Sequence, residues 1–443
     1  MGPLVPAKMD QLRGLLASLP GDMAQRLCAM AGQADPALGR LLGNCLSDPD
    51  ELSRERFFAP LAPLSGKPGS DRPAVSVVPV ALLRALWAWL GEELSPDIAA
   101  RVRAIALDPC SPDTPGQLDP ERAAGAALMV EAFKQAENDP RARKRLQARL
   151  DVERFDEARD VATMLRLAPV LRMALTGLAP VIDDPDDAQC EFIRDRYEAA
   201  AASDPDAGPW VLLLIMARFN RPWRLLRVFE RLTHRDDDLL VGKTDMALIG
   251  DVLLRDAAYH LAGFRAAPRT EAEARAAAAA VTAFAAVTVG MSREIGIRKD
   301  GPWGKRIMDL RARASEQMTA IHEAARRAVG RVLPEADKGP RRFTQPREED
   351  MEQALAHCLF LALTRDDAGR AAVGGAHNSV IAELANAFER AGQGALDALR
   401  SQDAQHREAG SARLNYIAAL MHALGQREAG AVLLRRGAAA LAA

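Results

Sequence analysis

Apolar residues recur at three- and four-residue spacing along most of this chain, the repeat that lines one face of an α-helix. Several of these runs begin directly after an Asp-Pro dipeptide. Seven such dipeptides fall in the first 205 residues: Asp35-Pro36, Asp48-Pro49, Asp108-Pro109, Asp119-Pro120, Asp139-Pro140, Asp184-Pro185 and Asp204-Pro205. An aspartate at an N-cap accepts a bond from an orphan backbone N–H, and a proline at the first helical position gives up only a donor that had no partner. The pairs are therefore expected to open helices. Ser95-Pro96 marks another start, and Thr270 with Glu273 forms a capping-box pattern.

Proline and glycine interrupt the pattern in three places, at 59–79, 109–120 and 334–347. The expected organisation is an N-terminal helical segment over 1–58, a Pro-rich linker over 59–79 and a central helical domain over 80–333. A second linker over 334–347 and a C-terminal helical domain over 348–443 complete it. The fold class expected is all-α: an irregular array of antiparallel helix pairs, α-solenoid-like or a multi-helix bundle. The Asp-Pro pairs are irregularly spaced, which gives no fixed repeat period. One stretch, from Leu414 through Tyr416 and Ala419, turning at Gly425 and returning through Glu428 to Leu434, resembles a single tetratricopeptide-type hairpin. It lacks the signature tryptophan and closing proline, and no family is assigned from it.

Composition strengthens the helical reading. Of 443 residues 86 are alanine, the best helix former, while aromatic residues make up only 5%. The basic residues divide into 50 arginines and 8 lysines, yet 60 acidic residues leave a formal charge of −2, too little for a whole-chain field that would draw in nucleic acid. Ala, Arg, Gly and Pro share G/C-rich codons, so their abundance points to a high-GC bacterial source. Five cysteines (Cys28, Cys45, Cys110, Cys190, Cys358) show no CxxC spacing and suit a reducing compartment. No leader-like segment is recognised at the N-terminus, and a cytoplasmic protein is expected. The longest charge-free run, Ala276 to Ser292, would span roughly 25 Å as helix and is mostly alanine; a buried helix, apolar all round, is expected there rather than a membrane span.

Few residues carry a chemical signature. Gly242-Lys243-Thr244 has the ending of a phosphate-binding loop, but Asp237 stands where the earlier glycine is required, inside an acidic run. His322-Glu323 lacks the second histidine of a zinc-protease helix, with Arg326 in its place, and the pairs Asp256–His260 and Asp403–His406 have no matching second pair. No metal, no cofactor and no catalytic set is expected.

Two basic patches stand out. The glycine-rich stretch 290–306 gathers Arg293, Arg298, Lys299, Trp303, Lys305 and Arg306 between two long predicted helices, where backbone N–H groups at a helix start favour an anion or a partner. After Arg221-Pro222, Trp223 precedes Arg224, Arg227, Arg231 and Arg235 on one helix face, expected to be solvated or paired with Glu230 or Asp236–Asp238. The leading expectation is a helical interaction protein (scaffold, adaptor or regulatory subunit) that binds another protein through its helical surface. An anion- or phosphate-binding enzyme or sensor with its pocket near 290–306 is the alternative. Nucleic-acid binding through the Arg224–Arg235 face is the third.

Overall fold

The computed structural model describes residues 11–12, 14–16, 18–66, 78–108, 116–150, 155–228, 247–264, 268–333, 346–370 and 374–442. The protein is all-α, built from packed helix pairs. The strand content described is one two-residue parallel pair, Ser65–Gly66 with Val78–Pro79. The chain divides into two compact units, residues 1–228 and 229–443.

The first unit contains α1 (Gly21–Ala34), α2 (Pro36–Leu46), α3 (Pro49–Phe57), α4 (Val80–Trp89), α5 (Pro96–Leu107), α6 (Asp119–Asn138), α7 (Pro140–Leu150), α8 (Phe155–Arg166), α9 (Ala168–Leu175), α10 (Asp187–Ser203) and α11 (Ala207–Met216). A 3-10 turn over Ala59–Leu64 follows α3, which packs against α5 on the far side of the proline-rich break. Two groups of aromatic rings pack in the core: Phe57 lies 5.1 Å from Phe58 and 5.5 Å from Trp87, and Phe133 lies 5.7 Å from Trp89 and 5.3 Å from Phe155. Helix α11 is apolar on every side and buried over most of its length.

The second unit contains α12 (Ala247–Gly263), α13 (Glu271–Glu294), α14 (Pro302–Val332), α15 (Glu348–Leu363), α16 (Arg365–Arg370), α17 (Gly374–Leu399), α18 (Ala404–Ala423) and α19 (Arg427–Ala442). Helix α15 packs on α13, α14 and α18, so its residues Ala356, His357, Cys358, Phe360 and Leu361 are buried. Helices α17, α18 and α19 close the unit. The α18–α19 turn uses Gly425 at φ 85°, a left-handed conformation that glycine adopts without a Cβ penalty.

Helix caps follow the Asp-Pro pattern in part. Helices α2, α3 and α7 begin at the proline of the pair, and α6 begins at Asp119. Asp48 accepts from the amide of Asp50 at 3.1 Å, and Asp139 from that of Arg141 at 2.8 Å. The Asp184 and Asp204 pairs stand two residues ahead of the helix, and Asp108 is the C-cap of α5, with Pro109 outside the described residues. For α10 the cap is Asp186, which forms a full capping box with Gln189. Ser95 caps α5 as expected, accepting from Ile98 at 3.3 Å. Thr270 caps α13, but the Glu273 carboxylate reaches back to the amide of Arg269 at 2.8 Å instead of to the cap residue.

The alanine-rich helix α13 differs from a rod buried all round. It buries Ala274, Ala277, Ala278, Val281, Phe284, Ala285, Val287 and Met291, while Ala276, Ala279 and Thr282 are exposed. Alanine adds so little apolar area that it can face water at no great cost, and its helix propensity serves on either face. By length and composition α13 could cross a membrane; in this fold 56% of its apolar window is buried by neighbouring helices.

Candidate functional site

Among the described residues, exposed large apolar side chains are concentrated toward the N-terminal end. Helices α1 and α2 pack chiefly on each other and enclose a small core of Leu16, Leu41, Leu42 and Cys45, with Leu12, Cys28 and Ala31 against it. That core uses one side of the hairpin. On the other, Leu15, Leu19, Met23, Leu27 and Met30 face solvent, with Leu15 at 66% and Met30 at 69% exposure. Within α1, Met23, Leu27 and Met30 stand at spacings of four and three and share one helix face; Leu15 and Leu19 precede the helix, ahead of its Pro20 cap. Seven of the sixteen exposed large apolar side chains among the described residues lie between Leu15 and Leu46. Scattered exposed leucines are normal, but a contiguous stripe is not. Asp22 and Arg26 beside it form an i,i+4 ion pair at 3.7 Å, leaving that flank solvated and neutral.

The two basic patches are built differently from each other. In 290–306, Trp303 is a core residue, 3% exposed, lying flat on Gly250 of α12. A Cβ on Gly250 would come within 2.1 Å of the indole, so the glycine makes room for the ring. The loop closes over the first turn of α14 so tightly that a Cβ at Gly304 would stand 1.9 Å from the Arg298 carbonyl oxygen. Arg298 pairs with Asp300 at 3.1 Å, and Arg306 pairs with Asp251 of α12. The Arg298 guanidinium hydrogen-bonded to Asp300, with Lys305 adding its charge, holds that carboxyl below the usual carboxylate range. Arg293, Lys299 and Lys305 are exposed. The stretch thus supplies one core tryptophan and two ion pairs, with its remaining charges at the surface.

In the second patch, Pro222–Arg224 forms a 3-10 turn with Trp223 half-buried. Arg224 and Arg227 converge on one carboxylate oxygen of Asp184, each at 2.9 Å, and Arg224 also donates to the Asp183 carbonyl at 2.8 Å. Paired arginines were expected, and among the described residues the acid is in the Asp183–Asp184 loop; Glu230, the other expected partner, lies outside the described residues. Ile182 and Phe219 form a parallel bridge there, and Arg218 donates to the carbonyls of Leu175, Leu178 and Ala179 beside the C-terminus of α9. The face fastens two loops. Arg231, Arg235, the acidic run 236–238 and the Gly242-Lys243-Thr244 sequence lie outside the described residues.

Neither family models nor curated proteins nor solved structures match this chain. Its function therefore has to be argued from its own side chains.

The histidines show why spacing alone misplaces chemistry. His322 is 3% exposed; its Nε2 lies 3.0 Å from His377 Nδ1, and His377 Nε2 lies 2.9 Å from the Leu361 carbonyl oxygen. The carbonyl can only accept, so His377 carries its proton on Nε2 and accepts from His322 through a bare Nδ1. Both rings are held neutral: burial, then the neighbouring charges, lowers the His322 pKa to about 4, and burial lowers that of His377. His357 is fully buried with neither ring nitrogen hydrogen-bonded, and burial lowers its pKa to about 4. Glu323 pairs with Arg326, which reaches on to Glu383 at 2.9 Å. Asp256 and His260 approach to 3.7 Å, longer than a hydrogen bond, and Asp403 caps α18 while holding His406 at 2.7 Å. Among the described residues no three His, Cys, Asp or Glu side chains gather as metal ligands. Helical spacing brought out His322 and Glu323 but had no means of revealing His377 as the partner, 55 positions away.

Proposed function

We propose that this chain is a protein-binding helical module whose partner docks on the Leu15–Met30 stripe. The observation behind this reading is the concentration of exposed apolar side chains, Leu15, Leu19, Met23, Leu27 and Met30, on a hairpin that also has a small core of its own. Anchors at Met23, Leu27 and Met30 fall at i, i+4 and i+7, the pattern by which an amphipathic helix lies in an apolar groove of another protein. Two of the three are methionines, whose unbranched, polarisable side chains adapt to an irregular counter-surface. The scaffold or adaptor reading suits a chain whose Arg224–Arg227 patch is spent on internal loops.

The test is co-purification from the native host, identification of the captured protein, and rebinding of that protein in purified form. Leu27→Glu with Met30→Glu is expected to reduce rebinding by about a hundredfold, because buried apolar anchors dominate such interfaces. Arg298→Glu with Lys299→Glu is expected to leave it unchanged. Rebinding that survives the first pair and is lost with the second would overturn the assignment in favour of the basic loop. Self-association of the purified chain that the first pair abolishes would reassign the stripe to a homotypic contact.

A further inference from the structure

A second, independent feature lies in the first unit: a cleft of about 870 Å³ between α3, the Ala59–Leu64 turn, α5, the start of α6 and the end of α9. Its apolar walls include Leu52, Pro60, Ile105 and Leu171. Its charged lining is one-sided: Arg56, Arg122, Arg172 and Arg218, against Glu55.

These arginines are not equivalent. Arg122 is buried and fully engaged, with Nε donating to the Phe57 carbonyl at 2.9 Å and its two terminal nitrogens to the Arg56 carbonyl at 2.6 Å and to Asp119 at 2.9 Å. Arg218 is spent on the carbonyls beside the end of α9. Desolvation lowers the pKa of both, so their charge is held at a cost that hydrogen bonds offset. Arg172 shares the Asp119 carboxylate with Arg122 and lies against Gly116, whose φ of 95° and missing Cβ let the guanidinium approach; an ideal Cβ there would be 2.8 Å from it. That single bond to Asp119 leaves donors of the Arg172 fork for something else, and the side chain is 32% exposed. Arg56, half-buried, contributes its carbonyl to Arg122 and also lines the cleft. Four guanidinium groups against the carboxylates of Glu55 and Asp119 leave two positive charges at an apolar-walled opening.

We infer that this cleft binds a small organic anion: a phosphate monoester or carboxylate held by Arg56 and Arg172, with an apolar or aromatic body against Leu52, Ile105 and Leu171. Arg122 and Arg218 build the field and hold the walls, while Arg56 and Arg172 supply the donors. Planar guanidinium forks match phosphate and carboxylate oxygens, and a partly desolvated setting strengthens the attraction. The site is separate from the Leu15–Met30 stripe and does not depend on it.

Calorimetric titration of the full chain with 1-naphthyl phosphate, 1-naphthol and inorganic phosphate tests the inference. The naphthyl phosphate is expected to bind saturably and more tightly than either fragment. Arg56→Ala, which leaves the Asp119 network in place, is expected to weaken it about tenfold, the usual scale for a charge-assisted bond. Ala59→Trp puts bulk at an exposed position of the cleft wall and is expected to abolish binding, with the far-ultraviolet circular dichroism of both variants unchanged. Absence of saturable binding, 1-naphthol binding as tightly as its phosphate, or equal affinity in wild type and both variants would overturn the inference.

Discussion

His322, His357 and His377 are neutral because burial makes their charged forms costly, and this sets a definite pH response. Unfolded histidine titrates near 6.5, whereas His322 and His357 in the folded chain titrate at about 4. Between those values the unfolded chain binds more protons, so stability is complete above about pH 6.5 and falls as pH drops toward 4. The lowered carboxyl groups, Glu51, Asp204, Asp300 and Asp403, act only at the acid end of that window, below their ordinary values of 3.8 to 4.5. Urea unfolding is expected to show a loss on the order of a few kcal/mol between pH 7.5 and 5, with a smaller loss in His357→Leu. A midpoint that does not move over that range would contradict buried, neutral rings. Close approach at glycine gives a second test at this scale. Gly250→Ala forces a methyl group into the Trp303 indole and is expected to cost about 1–3 kcal/mol by overpacking, read as a lowered melting temperature.

At the level of elements, caps and breaks were legible in the sequence, but partner identities were not. Asp48, Asp139 and Ser95 cap helices as their local chemistry requires, because a cap is a contact between residues two or three apart. Asp119 also stands at a helix start, yet its carboxylate is drawn to Arg122 and Arg172, the latter 53 positions away. Asp184 is likewise taken by Arg224 and Arg227, and the cap passes to Asp186. Apart from Asp108, the Asp-Pro pairs mark helix starts to within about two residues, but at Asp119 and Asp184, where a distant guanidinium claims the carboxylate, they no longer cap. Asp139→Ala is expected to destabilise the protein by about 0.5–2 kcal/mol through the lost cap, measured by denaturant unfolding. A change below a few tenths of a kcal/mol would show that water caps α7 as well as Asp139 does.

For the whole molecule, the all-α class followed from alanine content and spacing, whereas the proposed binding surfaces did not. The stretch 290–306 drew attention by its glycines and cations, but its tryptophan is core and two of its arginines meet Asp300 and Asp251. The arginines of the cleft, Arg56, Arg122, Arg172 and Arg218, are spread over more than 160 positions, so no local pattern could join them. The Leu15–Met30 stripe is amphipathic in sequence like any core-facing helix. Only the completed Leu16–Leu41–Leu42 core shows which of two apolar faces has been left over.

The exposed apolar face over residues 15–30 is the proposed partner-binding surface. Hydrogen exchange of the full chain, alone and with its purified, identified partner, tests it most directly. Slowed exchange concentrated in residues 15–30 is the predicted result. Unchanged exchange there, with protection over 290–306 instead, would contradict it.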